Sequence, residues 1–83
     1  MRLTLTPAML DALERAKDKP DWLIAEVARL RGGTEPPVLA LSAEQSTALE
    51  ELCAMNIRFN PDGSIKAEHV PLDELATLVM QNY

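Results

Sequence analysis

Eighty-three residues, a net charge of −5 and 47% hydrophobic content describe one packed domain rather than a disordered chain. No apolar run approaches the ~20 residues that cross a bilayer, and the single Cys53 excludes an intramolecular disulfide or a cysteine-cluster zinc site. The start, Met1-Arg2-Leu3-Thr4-Leu5-Thr6-Pro7, lacks an apolar h-region and a small-residue cleavage site, so no signal peptide is read and a reducing, cytoplasmic setting is expected.

Leu3 and Leu5 alternate with Arg2, Thr4 and Thr6, enough for a very short strand. It is expected to pair with one edge of a β-hairpin further along the chain and so complete a small three-stranded sheet. The first helix, residues 7–19, opens on Thr6 as N-cap, Pro7 at its first position and a Leu5–Leu10 hydrophobic staple. Met9, Leu10, Leu13 and Ala16 form its apolar face. Pro20 ends that helix and begins a second over 21–31, with Asp21 in its first turn and Arg29 and Arg31 in its last. Leu23, Val27 and Leu30 recur at i, i+4, i+7, widened by Trp22, Ile24 and Ala28, and Gly32-Gly33 stop the helix.

Thr34-Glu35-Pro36-Pro37 reads as an extended connector, after which Val38-Leu39-Ala40-Leu41 returns to the core. Ser42 and Gln45 form a capping box for a third helix over 42–55, whose apolar side carries Ala48, Leu49, Leu52, Cys53 and Met55. Asn60-Pro61-Asp62-Gly63 then specifies a type I turn with Gly63 in a left-handed bulge. Closed by Asn60 and Ser64, that turn sets Phe59 against Ile65, Arg58 against Lys66 and Ile57 against Ala67. The expected hairpin at 57–68 thus places Ile57, Phe59, Ile65 and Ala67 on one face. A fourth helix over 71–82 opens on Pro71 with Asp73 and Glu74 in its first turn, and buries Leu72, Leu75, Ala76 and Val79. The fold class is α-rich α+β: one domain over 1–83, four helices, and a hairpin between the third and fourth.

Charge is unevenly placed. Residues 1–34 carry six basic groups against five acidic, net +1, whereas residues 35–83 carry eight acidic groups against Arg58 and Lys66 alone, net −6. The second half should repel nucleic acid and anionic membranes. His69 is the only histidine and falls near a strand end just before Pro71, so no two-histidine metal site exists. Cys53 has Leu49, Glu50, Asn56 and Ile57 at i±3 and i±4; no neighbouring base activates it. Glu50-Glu51 and Asp73-Glu74 are adjacent on helices and point about 100° apart, too divergent to share a proton. No phosphate-loop, dinucleotide-binding or nucleophile-elbow spacing occurs. No catalytic residue, metal ligand or cofactor is assigned.

Helices followed by a hairpin bearing Arg58 and Lys66 on opposite strands would also suit a winged-helix-like DNA-binding transcriptional regulator. Against that alternative, the candidate recognition helix carries Glu44, Glu50 and Glu51 and no Lys or Arg, the wrong sign for phosphate. The connector before it is also longer than a helix-turn-helix turn. The favoured expectation is a small acidic, non-enzymatic protein-interaction module: an adaptor, inhibitor or regulatory subunit that binds another protein or a second copy of itself. Its size and start at Met1 suit a complete bacterial or phage accessory protein. Leu78 and Met80 fall off the main stripe of the fourth helix, and with Tyr83 they offer surplus apolar surface. Together with Arg58 and Lys66 they are the expected partner-binding residues.

Overall fold

The computed structural model describes residues 1–33 and 37–82; Thr34, Glu35 and Pro36 of the connector, and Tyr83, lie outside the described residues. Strand β1 (Arg2–Thr4) leads into α1 (Pro7–Arg15) and α2 (Asp21–Gly32), followed by β2 (Val38–Ala40), α3 (Ala43–Asn56) and α4 (Val70–Gln81), with a 3-10 turn at Ala67–His69 just before α4. The chain is α-rich with a two-stranded antiparallel sheet.

The sheet corrects two expectations. First, β1 pairs with β2, Leu3 opposite Leu39, and not with a hairpin edge. The flanking bonds Leu41 N–H to Met1 O (2.8 Å) and Leu5 N–H to Pro37 O (2.8 Å) extend the ladder at both ends. Leu3, Leu5, Leu39 and Leu41 all turn inward and are buried, so the two short alternating runs share one apolar face. Second, no pair of strands forms between α3 and α4. The turn closes in its expected register, with Asn60 N–H on Ser64 O (2.7 Å), Gly63 N–H on Asn60 O (3.0 Å) and Gly63 at φ 90°. Beyond it the pairing is one isolated bridge, Phe59 to Ile65. Ala67 winds into the 3-10 turn rather than facing Ile57. With β1 committed elsewhere, this arm has no sheet to join.

Asp62 tightens the turn from outside: Oδ1 accepts from Ser64 Oγ (2.6 Å) and Ser64 N–H (2.9 Å). Those bonds, the hydroxyl first, hold its carboxyl below the ordinary range. A depressed carboxyl contributes its stabilisation above the unfolded-state value and loses it as pH falls through the acidic range, so the turn loosens in acid.

Helix starts follow local chemistry. Thr6 Oγ1 accepts from Met9 N–H (3.1 Å) at the head of α1. Ser42 and Gln45 exchange both capping-box bonds at the head of α3 (3.1 and 2.9 Å). Helix α1 stops at Arg15, short of the expected residue 19. Pro20 pushes Lys19 out of the helical region, and the chain turns through Asp18 at φ 61°. Lys19 Nζ then covers two freed carbonyls, Glu14 O (2.6 Å) and Ala16 O (2.9 Å). Arg31 of α2 pairs with Glu14 (2.6 Å) and Asp11 of α1, tying the two helices side by side.

Helix α4 packs most extensively on α3 and also on α1. Leu13, Leu23, Leu39, Leu49, Leu75 and Val79 are fully enclosed in a core drawn from all six elements. Of the apolar positions expected inside, Ile24, Met55 and Phe59 are instead exposed.

Candidate functional site

The stretch between α3 and α4, residues 57–69, forms a tied arm. Its base is closed by Arg58 N–H donating to Nδ1 of His69 (2.9 Å), while Lys66 N–H donates to Arg58 O (3.0 Å) and His69 N–H to Lys66 O (2.8 Å). Because the last residue of α3 and the first of α4 flank this closure, the two helices fold back as a hairpin. The Arg58 guanidinium reaches the carbonyls of Met55 (2.6 Å) and Ile57 (3.1 Å). It thereby supplies positive charge to the C-terminus of α3, whose last turn has no basic residue of its own.

Among the polar side chains of this arm and its flanks stand three exposed large apolar ones. Phe59 is 61% exposed, Met55 55% and Val70 38%, and all three belong to the end of the α3–α4 hairpin. All three lie within fifteen residues of one another around the turn from α3 to α4. Ile57 and Ile65 are half-buried at its base. Arg58 and Lys66, the only basic residues of the second half, are exposed on the same arm.

Beneath the arm a cleft of about 200 Å³ opens between α1 and the 3-10 turn, lined by Ala12, Arg15, Ala16, Asn56, Glu68, His69 and Leu72. Its chemistry is restricted. His69 Nδ1 is occupied by the Arg58 N–H, so in the neutral ring Nε2 carries the hydrogen and can only donate; Nε2 lies 3.7 Å from Glu68 Oε1. Asn56 likewise spends both amide hydrogens, on Lys17 O (3.1 Å) and Leu52 O (2.9 Å), while its oxygen accepts from Lys17 N–H (2.9 Å). Cys53 is fully buried, and its thiol is pushed up to about 12 by burial first and by Glu50 second. Among the described residues no three His, Cys, Asp or Glu side chains stand close enough to hold a metal ion, and no helix is long and apolar enough to cross a membrane.

His69 therefore acts as a clasp, with a measurable consequence. His69→Ala is expected to weaken arm closure by about 1 kcal/mol, read as roughly fivefold faster exchange of the Arg58 amide. Unchanged exchange would mean that the arm closes without the imidazole.

The residues expected to bind a partner fall in two places. Arg58 and Lys66 sit on the arm. Leu78 and Met80 lie near the far end of α4, about 15 Å along its axis from Val70 at 1.5 Å per residue. Two residues apart on a helix means about 200° of rotation, so they occupy opposite flanks: Leu78 is half-buried and packed against the core, Met80 is 60% exposed. Tyr83 lies outside the described residues. Sequence reasoning missed Met55, Phe59 and Val70 as surface. Leu3-Thr4-Leu5 and Leu39-Ala40-Leu41 alternate alike, but alternation marks the buried face of each run and does not choose its neighbour, so no sequence signal left the arm outside the sheet. Comparison with protein-family models, curated proteins and solved structures finds no match to this chain.

Proposed function

We propose that this chain is a small acidic, non-enzymatic protein-interaction module, an adaptor, inhibitor or regulatory subunit, that holds its partner with the arm between α3 and α4. The observation that carries this reading is the exposure of Phe59, Met55 and Val70 around a base fixed by the Arg58–His69 bond. An aromatic side chain on a preordered turn loses little conformational freedom on binding, which is how aromatic anchors come to dominate interfaces. Arg58 and Lys66 add local positive charge to an otherwise acidic half and favour a partner with an acidic rim around an apolar pocket. The non-enzymatic part of the proposal is supported by the commitment of His69, Asn56 and Cys53 to structural roles.

The test is retention of a partner on the immobilised chain, with and without nuclease, across a range of salt. Phe59→Asp alters an exposed side chain, so thermal stability should shift by no more than about 0.5 kcal/mol, while retention of a nuclease-resistant protein partner should drop by at least tenfold. Equal retention by Phe59→Asp and the unaltered chain would remove the arm from the interface. Binding abolished by nuclease or by moderate salt would replace the proposal with a nucleic-acid-binding one.

A further inference from the structure

We propose that the free edge of β1 is a self-association surface, and that two copies of the chain pair β1 to β1 antiparallel into a four-stranded sheet ordered β2-β1-β1-β2. The phase of the ladder carries the inference. Met1 and Leu41 exchange main-chain bonds (3.0 and 2.8 Å), and Leu5 N–H binds Pro37 O (2.8 Å). In an antiparallel pair, residues that face the partner strand alternate with residues that face away. With Leu3 opposite Leu39, the inward-bonding positions of β1 are Met1, Leu3 and Leu5. The N–H and C=O groups of Arg2 and Thr4 therefore point out of the sheet edge. They make no hydrogen bond to another described residue, and both residues are exposed.

The two edges of the sheet are not equivalent. On β2 the outward carbonyl of Val38 receives Arg29 Nη2 (3.5 Å) from α2, which partly covers that edge. Among the described residues strand β1 has no such cover, and it carries no proline, bulge or inward-pointing charge to block strand addition. The occupant follows from symmetry. Rotated by a two-fold axis through Leu3, the edge of β1 meets itself with Arg2 opposite Thr4 of the second copy and Thr4 opposite Arg2, which aligns four main-chain hydrogen bonds. Leu3 lies on the axis and faces the core in both copies. The two Arg2 side chains are offset along the strands, so no like charges stand directly opposed.

This surface is separate from the arm. Met1 Sδ lies 3.6 Å from Ser46 Oγ near the start of α3, whereas the arm hangs from the end of that helix. Dimerisation and partner capture can accordingly fail independently.

Sedimentation of the unaltered chain from micromolar to millimolar concentration should show a reversible monomer–dimer equilibrium. Thr4→Pro removes one outward N–H per copy, leaves the β1–β2 bonds untouched, and places proline where edge strands accept it. It should weaken the dimer about thirtyfold, the loss expected from two hydrogen bonds. Should that variant misfold, amide exchange in the unaltered chain decides: Thr4 N–H should become more protected as concentration rises, while Leu3 and Leu5 stay protected throughout. A chain that remains monomeric at millimolar concentration overturns the proposal. So does a dimer in which Thr4→Pro has no effect, or one in which Thr4 exchange does not depend on concentration.

Discussion

Leu75→Ala is expected to destabilise the chain by about 3 kcal/mol, within the 2–5 kcal/mol that buried leucine truncations cost. Leu75 is completely enclosed, and its helix packs on both α3 and α1, so neither side can collapse into the space without disturbing the other. The scale of the effect follows from size. An 83-residue domain has a stability of about 4–12 kcal/mol at 0.05–0.15 kcal/mol per residue. A loss of 3 kcal/mol lowers the melting temperature by about 17 °C, given an unfolding entropy near 2.1 cal/mol/K per residue. Ile24→Ala is the control: this α2 side chain is 49% exposed, and its truncation should cost less than about 1 kcal/mol. Thermal unfolding followed by circular dichroism compares the two variants directly. Equal effects at Leu75 and Ile24 would mean that the core is loosely packed around α4.

Helix content was legible because each helix carries redundant local signals that agree with its burial. Thr6, Ser42 and Gln45 make the caps their side chains specify, and the i, i+4, i+7 spacing of Leu23, Val27 and Leu30 is buried. Boundaries were less legible where a tertiary bond decided them, as at Arg15, where the exit is set by Lys19 and Asp18. The pairing of strands was not legible. Apolar alternation states which face a strand buries but not which strand lies beside it, and the arm, with its strong turn, looked the better partner for β1. In the structure β1 lies against Leu39 and Leu41, leaving the arm with one bridge.

The same misassignment hid the candidate site. A hairpin inside a sheet would bury Phe59; a tied turn outside one leaves it 61% exposed. Whether Phe59 is core or surface is therefore fixed by a pairing decision made some twenty residues earlier in the chain. No property of Phe59 or its neighbours reports it. Leu78 and Met80 illustrate the converse. Their opposite flanks follow from helix geometry alone, and only their depth in the packing required the structure.

Asn56→Ala tests a side chain that joins the two halves of the chain by main-chain mimicry. At the end of α3, Oδ1 accepts from Lys17 N–H (2.9 Å) and Nδ2 donates to Lys17 O (3.1 Å), as a paired strand residue would, while the second Nδ2 hydrogen goes to Leu52 O (2.9 Å). This clip holds the left-handed turn at Asp18 and with it the sharp passage from α1 to α2. Removing it should cost about 2 kcal/mol, three hydrogen bonds of about 1 kcal/mol each, less what water restores at the exposed Lys17 groups. Asn56→Asp separates geometry from bulk. It keeps the acceptor toward Lys17 N–H but directs a carboxylate at two carbonyls and at the negative end of α3. The Asp variant should therefore be no more stable than the Ala variant at neutral pH. Its deficit should shrink as pH falls, because the protonated form regains one donor and its folded-state pKa is raised. Thermal melts of both variants at neutral and mildly acidic pH give the comparison. An Asp variant as stable as the unaltered chain at neutral pH would show that only the Lys17 N–H bond matters, and that the turn at Asp18 is held by Lys19 instead.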